Sequence, residues 1–123
     1  MHWNHIIEFV FNMAVKKSRK AANFDLNDNL LKKYYPSKNY KNAWKDIKRY
    51  FESKNFIHRQ YSGYVSNDFI SMADVVNVVK RLSKQYIWLS MAVIVFDVTI
   101  VGNEYDLLPV IKDESMIFNK NEF

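Results

Sequence analysis

Segments with the two-residue period of a strand alternate with segments of helical period in the order β, α, β, α, β. No glycine-rich phosphate loop interrupts them. Together these observations predict an α+β fold of the ferredoxin-like kind, a βαβ-αβ sandwich with two helices on one face of a small sheet. The 123 residues, 49% hydrophobic and 16% aromatic, suffice for one packed core and not for two. Two glycines, no repeat and no low-complexity stretch leave a mononucleotide-binding fold without its usual signature.

Residues 1–18 read as an accessory segment. The apolar run from Ile6 to Val15 is interrupted by Glu8 and Asn12 and is too short to span a bilayer. Its positive charges follow it, whereas a secretory signal carries them in front. An amphipathic anchor, an extra strand and a non-native start upstream of Met13 are the competing readings. Residues 19–112 form the predicted domain, and 113–123 a tail.

"KAANFDL" opens the domain as a half-buried strand, with Ala22, Phe24 and Leu26 on one face and Ala21, Asn23 and Asp25 on the other. Asp25 therefore faces away from the core. After a long connection, "YKNAWKDIKRYFESKNF" spaces Tyr40, Ala43, Trp44, Ile47, Tyr50 and Phe51 by three and four, an amphipathic helix over 38–53. Pro36 and Ser37 suit its start and Asn55 a left-handed end. The aromatic and β-branched run 56–66 predicts a second strand, broken by "SNDF". "SMADVVNVVKRLSKQY" is a second helix, with Ser71 and Asp74 spaced as a capping box; its valines make a strand the competing reading.

The run 91–101, "MAVIVFDVTIV", is the third strand. Ala92, Ile94, Phe96, Val98 and Ile100 form an apolar face; Met91, Val93, Val95, Asp97, Thr99 and Val101 form the other. A second face this apolar predicts cover by a second subunit, a homodimer. "YDLLPVI", 105–111, near the end of the domain reads as an edge strand or short helix, Pro109 arguing for an edge or a break.

Eighteen Lys and Arg against thirteen Asp and Glu give a formal charge of +5, which favours phosphate-rich or acidic partners. The absence of cysteine excludes a disulfide framework, a thiolate zinc site and a Cys nucleophile, and makes a cytoplasmic location the default, with no membrane partner expected. His2 and His5 have chelating helical spacing but no third ligand at a fixed offset, and His58 in a strand reads as a sheet histidine. In the second strand, Gln60, Ser62 and Tyr64 share a parity. On the open face beside Asp25 they would gather a carboxylate, a hydroxyl and a phenol, a set able to cleave a phosphodiester through its 2'-hydroxyl; an ordinary polar interface is the competing reading. "LLKKYYPSK" interleaves cations with tyrosines as contacts to phosphates and stacked bases would, against the alternative of a solvated surface.

With "FDLNDNLLKKYYP" after the first strand, "YKNAWKDIKRYFESKNF" at the helix, "RQYSGYV" in the second strand and "YDLLPVIK" near the end, the chain resembles the virulence-associated protein D (VapD) family from about Lys20 to Lys112. Members resemble the small CRISPR adaptation nucleases in having a dimeric ferredoxin-like fold, and some are endoribonuclease toxins acting on mRNA. The resemblance implies that Asp25 is the principal catalytic residue, with Leu31 and Ser62 at other matched functional positions. It departs in the third strand, where "IVFD" puts Val95 at the family's aspartate position and Asp97 at its arginine position, and at Tyr61 and Gly63, which replace a glycine and a valine.

The expected function is thus an endoribonuclease, the toxin of a toxin-antitoxin pair. Asp25, Ser62 and Asp97 are its catalytic candidates. Lys32, Lys33 and Arg59 are the expected phosphate contacts, and Leu31, Gln60 and Tyr64 complete the substrate-binding set. Its partners are RNA, a second copy and a protein antitoxin. The metal requirement stays open, a divalent ion such as Mg2+ being compatible with the carboxylates. A non-catalytic nucleic-acid or protein adaptor with a degraded site is the alternative, and an interaction module tethered by the N-terminus the third reading.

Overall fold

The computed structural model describes residues 2–60, 62–102 and 107–112. The elements follow in the order α1 (His2–Val15), β1 (Arg19–Leu26), α2 (Asp28–Tyr34), α3 (Asn42–Ser53), β2 (Phe56–His58), β3 (Gly63–Ser66), α4 (Met72–Gln85), α5 (Ile87–Ala92) and β4 (Val93–Val101). The four strands form one sheet in the order β2-β3-β1-β4, antiparallel at every pairing. With α3 and α4 as the crossovers, this is a mixed α+β architecture consistent with the ferredoxin-like plan.

The strand period sets the core. Ala22, Phe24 and Leu26 are buried, whereas Asn23 and Asp25 between them are exposed. Buried Ala43, Ile47, Tyr50 and Phe51 make the apolar stripe of α3. An aromatic stack ties helix to sheet: Phe51 lies 4.8 Å from Tyr64, and Phe24 lies 6.0 Å from Tyr64 and 5.6 Å from Phe96, centroid to centroid. α3 is followed by Asn55 at φ 64°, the left-handed turn that Asn tolerates. At α4, Ser71 Oγ accepts from the Asp74 backbone N–H at 3.1 Å and Asp74 Oδ2 accepts from the Ser71 N–H at 3.2 Å. These hydrogen bonds hold the Asp74 carboxyl below its ordinary pKa.

Several expectations need correction. The run 56–66 is a hairpin, because Gly63 N–H donates to Gln60 O at 3.0 Å and Arg59 N–H to Gly63 O at 2.8 Å, folding the chain back on itself. The long connection contains α2, started by Asn27, whose Oδ1 accepts from the Leu30 N–H at 2.9 Å. Met91 and Ala92 end α5 rather than begin a strand. A register shift between Asp25 and Leu26 leaves Leu26 opposite Val93 and Asp25 opposite Val95, so Ile94 is the extra residue of a bulge. Val93 consequently packs against the core and Ile94 is 57% exposed, the reverse of strict alternation. In the run 105–112, Tyr105 and Asp106 lie outside the described residues, as does Tyr61 of the hairpin, while 108–112 are helical.

Lys20 is also buried on the core side of β1. Its ammonium donates to Ser18 Oγ and to the carbonyls of Ile70 (2.9 Å), Lys16 (3.4 Å) and Ser18 (3.5 Å). Burial, aided by the nearby Lys16, lowers its pKa.

Candidate functional site

The sheet face opposite the helices carries Ala21, Asn23 and Asp25 from β1, Gly63 and Val65 from β3, and Val95, Asp97, Thr99 and Val101 from β4. This follows from the pairings Ala21↔Val65, Asn23↔Gly63, Asn23↔Asp97 and Asp25↔Val95. Asp25 and Asp97 are thus diagonal neighbours on one face, both exposed. Such positions stand ~7–8 Å apart, so the two carboxylates can address one phosphate without being forced to share a proton.

Asn23 organises the space between them. Its Nδ2 lies 3.4 Å from both Asp97 Oδ1 and Thr99 Oγ1. Its Oδ1 lies over Gly63, where an added Cβ would come within 3.3 Å of it and 3.2 Å of Gln60 O. Gly63 therefore leaves the room that the Asn23 amide occupies. Strand period puts Asn23 and Thr99 on this face, and a polar side chain flanked by two open-face acids is the signal in the sequence that marks Asn23.

The other predicted residues divide between this end of the sheet and the core. Ser62 is half-buried at the hairpin, and its carbonyl accepts from the Phe24 N–H at 3.3 Å, one residue before Asp25. Gln60 and Arg59 are exposed on the same turn. Lys32 and Lys33 are exposed on α2, just beyond the end of β1, with their ammonium groups 5.4 Å from the Tyr40 ring and 5.2 Å from the Tyr34 ring. Tyr64 does not join Asp25: it is 3% exposed on the core face. It shares its parity with Phe56, as read, but that face is the buried one because it carries the aromatic mass of the core. Leu31 is fully buried in the same core, so neither residue can touch a substrate directly.

Among the described residues, no three His, Asp or Glu side chains cluster closely enough to hold a metal ion. Asp25, Asp97 and their neighbours on this face nevertheless offer oxygen donors only. That set suits a hard divalent cation retaining much of its own water.

The curated protein named Endoribonuclease VapD 2, from Riemerella anatipestifer, is 32% identical to this chain over 91 residues, which is 74% of this chain and 97% of that protein. The chain belongs to the VapD family. No family model matches the sequence. Nearly the whole of the VapD relative is matched within this chain, and about a quarter of the chain lies beyond the match. No described helix is long and apolar enough to cross a membrane.

Proposed function

We propose that this VapD-family chain is an endoribonuclease that cuts mRNA at the open sheet face and serves as the toxin of a toxin-antitoxin pair. The observation that carries the reading is Asp25, a solvent-facing carboxylate at the end of a central strand, in a chain whose relative is named an endoribonuclease. Asp25 removes the proton from a ribose 2'-hydroxyl, O2' attacks the adjacent phosphorus, and the bond to O5' breaks. The products are a 2',3'-cyclic phosphate and a 5'-hydroxyl, the leaving oxygen taking a proton from the protonated carboxyl or from water. Lys32, Lys33 and Arg59 hold the flanking phosphates, while Ser62 and Gln60 hydrogen-bond the sugar-phosphate at the hairpin. Asp97, fixed through Asn23, orients the substrate. A divalent ion such as Mg2+, if bound by the two carboxylates, would add charge neutralisation at the phosphate. Leu31 and Tyr64 act from the core, by holding α2 and β1 in place. The active form is a homodimer whose open faces meet with Asp25 at the rim beside the twofold, where RNA reaches it, with a protein antitoxin as its inhibitor, in the cytoplasm.

Purified protein incubated with labelled RNA, with and without EDTA, tests the reading. Asp25→Asn keeps the shape and removes the base, so cleavage should fall by ~10²-fold or more, the usual share of general-base catalysis, while RNA binding persists. Stability should change by less than ~1 kcal/mol, because the side chain is exposed. Asp97→Asn should retain most activity. Full activity in Asp25→Asn would refute the mechanism. RNA retention without any cuts in the wild type would favour an adaptor.

A further inference from the structure

On the helical side, where α2 and α5 meet, an open groove of about 380 Å3 is lined by Tyr34, Pro36, Gln85, Tyr86, Ile87 and Met91, with the Trp88 ring beneath. The composition is unusual for a solvated surface. Ile87 is 76% exposed, Met91 49% and Tyr34 40%, while Trp88 is only 6% exposed and is flanked by the Tyr35 and Tyr86 rings at 5.1 and 5.5 Å. Through Gln85 and Tyr86 the groove continues into a second depression of about 250 Å3 bounded by Arg49, Ser53 and Lys54.

The two lobes differ in chemistry. The first is an aromatic and apolar slot; the second presents two cations. Neither is lined by an acidic side chain. The nearby acids are engaged, Asp46 accepting from Tyr35 Oη at 2.5 Å and Glu52 paired with Lys48 at 3.9 Å. Lys33, its ammonium 5.2 Å from the Tyr34 ring, adds a third positive charge beside that ring. Gln85 spends Nε2 on Tyr86 Oη at 3.2 Å, leaving its carbonyl oxygen to accept from a ligand. A flat π-face beside an acceptor and two cations matches a nucleotide: base in the slot, phosphate at Arg49 and Lys54.

We infer that this groove is a second RNA contact, in which one base of a single-stranded segment stacks between Tyr34 and Tyr86 while its phosphate meets Arg49 and Lys54. The inference rests on RNA being the substrate. It places the contact away from the chemistry, since Tyr34 ends α2 and Asp25 precedes it. The six helical steps from Asp28 to Tyr34 rise ~9 Å, so a strand leaving the cleavage site along Lys32 and Lys33 reaches the slot within a few nucleotides.

The test is photocrosslinking of a 4-thiouridine-containing oligoribonucleotide to the wild type and to Asp25→Asn, with the attached peptides mapped by mass spectrometry. Adducts on the peptides containing Tyr34 and Tyr86 in both proteins are expected. Adducts confined to β1 and β4 peptides would overturn the groove and leave the nuclease reading standing. Absence of adducts, with no cleavage, would remove both. In fluorescence anisotropy, Tyr34→Ala should weaken oligonucleotide binding about tenfold or more with an unchanged salt slope, as loss of one stacked base does. Arg49→Gln should lower the slope of log K against log salt by about 1. Binding of a mononucleotide as tight as that of the oligonucleotide would overturn the assignment to RNA. Circular dichroism of each variant separates lost contact from lost fold.

Discussion

Tyr64 shows how one side chain joins fold to pH response. Stacked between Phe24 and Phe51 and nearly sealed from water, its phenol is pushed up to about 12 by burial, with a smaller contribution from Glu52. Tyr35 is likewise raised to about 12, by burial and by its hydrogen bond to Asp46. A phenol whose folded pKa lies above its unfolded value contributes stability that is complete below pH 10 and is lost as pH rises toward 12. For Tyr64 this amounts to ~2–3 kcal/mol. Lys20, lowered instead, has the opposite sign, its penalty easing as pH approaches 10.5. Tyr50 is raised by burial as well, so three phenols act in one direction against a single ammonium. The urea midpoint should therefore fall between pH 10 and 12, and Tyr64→Phe should flatten that fall; an equally steep fall in the variant would show that Tyr64 is not the group responsible. The outward direction of Asp25 was legible because β1 alternates without interruption. The burial of Tyr64 was not, since parity says which residues share a face and only the aromatic content of that face says which way it points.

At the scale of elements, the sequence declares long periodic segments and hides short ones. α3 and α4 were legible from stripe and capping box. α2 was not, since its seven residues supply one buried side chain, Leu31, and no stripe. The bulge at Ile94 was invisible for a related reason: an extra residue in an all-apolar run leaves no mark on its composition. α1 carries Ile6, Ile7, Phe9, Val10 and Phe11 all more than half exposed, and the buried apolar residues of the described chain run from Ala22 to Ala92. α1 touches α4 without entering the core. Deleting residues 1–12 should then leave a single cooperative unfolding transition, with Tm within ~5 °C of the full chain, a change of under ~1 kcal/mol. A broad or missing transition would mean that α1 is part of the domain.

The whole molecule raises the question of what covers its apolar surfaces. The α+β class was legible from the order of periods. Pairing was only partly so, because Val93, counted toward the open face, turns to the core at the bulge and leaves Val95 and Val101, with Asp97 and Thr99 between them, as that face's apolar residues on β4. The proposed dimer pairs these faces. Each copy carries a formal charge of +5, so association works against repulsion that salt screens. Light scattering at micromolar concentration should give about 29 kDa, twice the 14.7 kDa chain, and more dimer at 0.5 M than at 0.05 M salt. Val95→Lys should return the mass to that of one chain, because it places two added charges in the interface at a position 47% exposed in the single chain, where the fold itself loses little. The chain lacking residues 1–12 separates the two apolar surfaces. If it remains a dimer and becomes monomeric only on adding Val95→Lys, the sheet face is the interface. A monomer on deletion alone would move the interface to α1, and a wild-type mass near 15 kDa would end the dimer proposal.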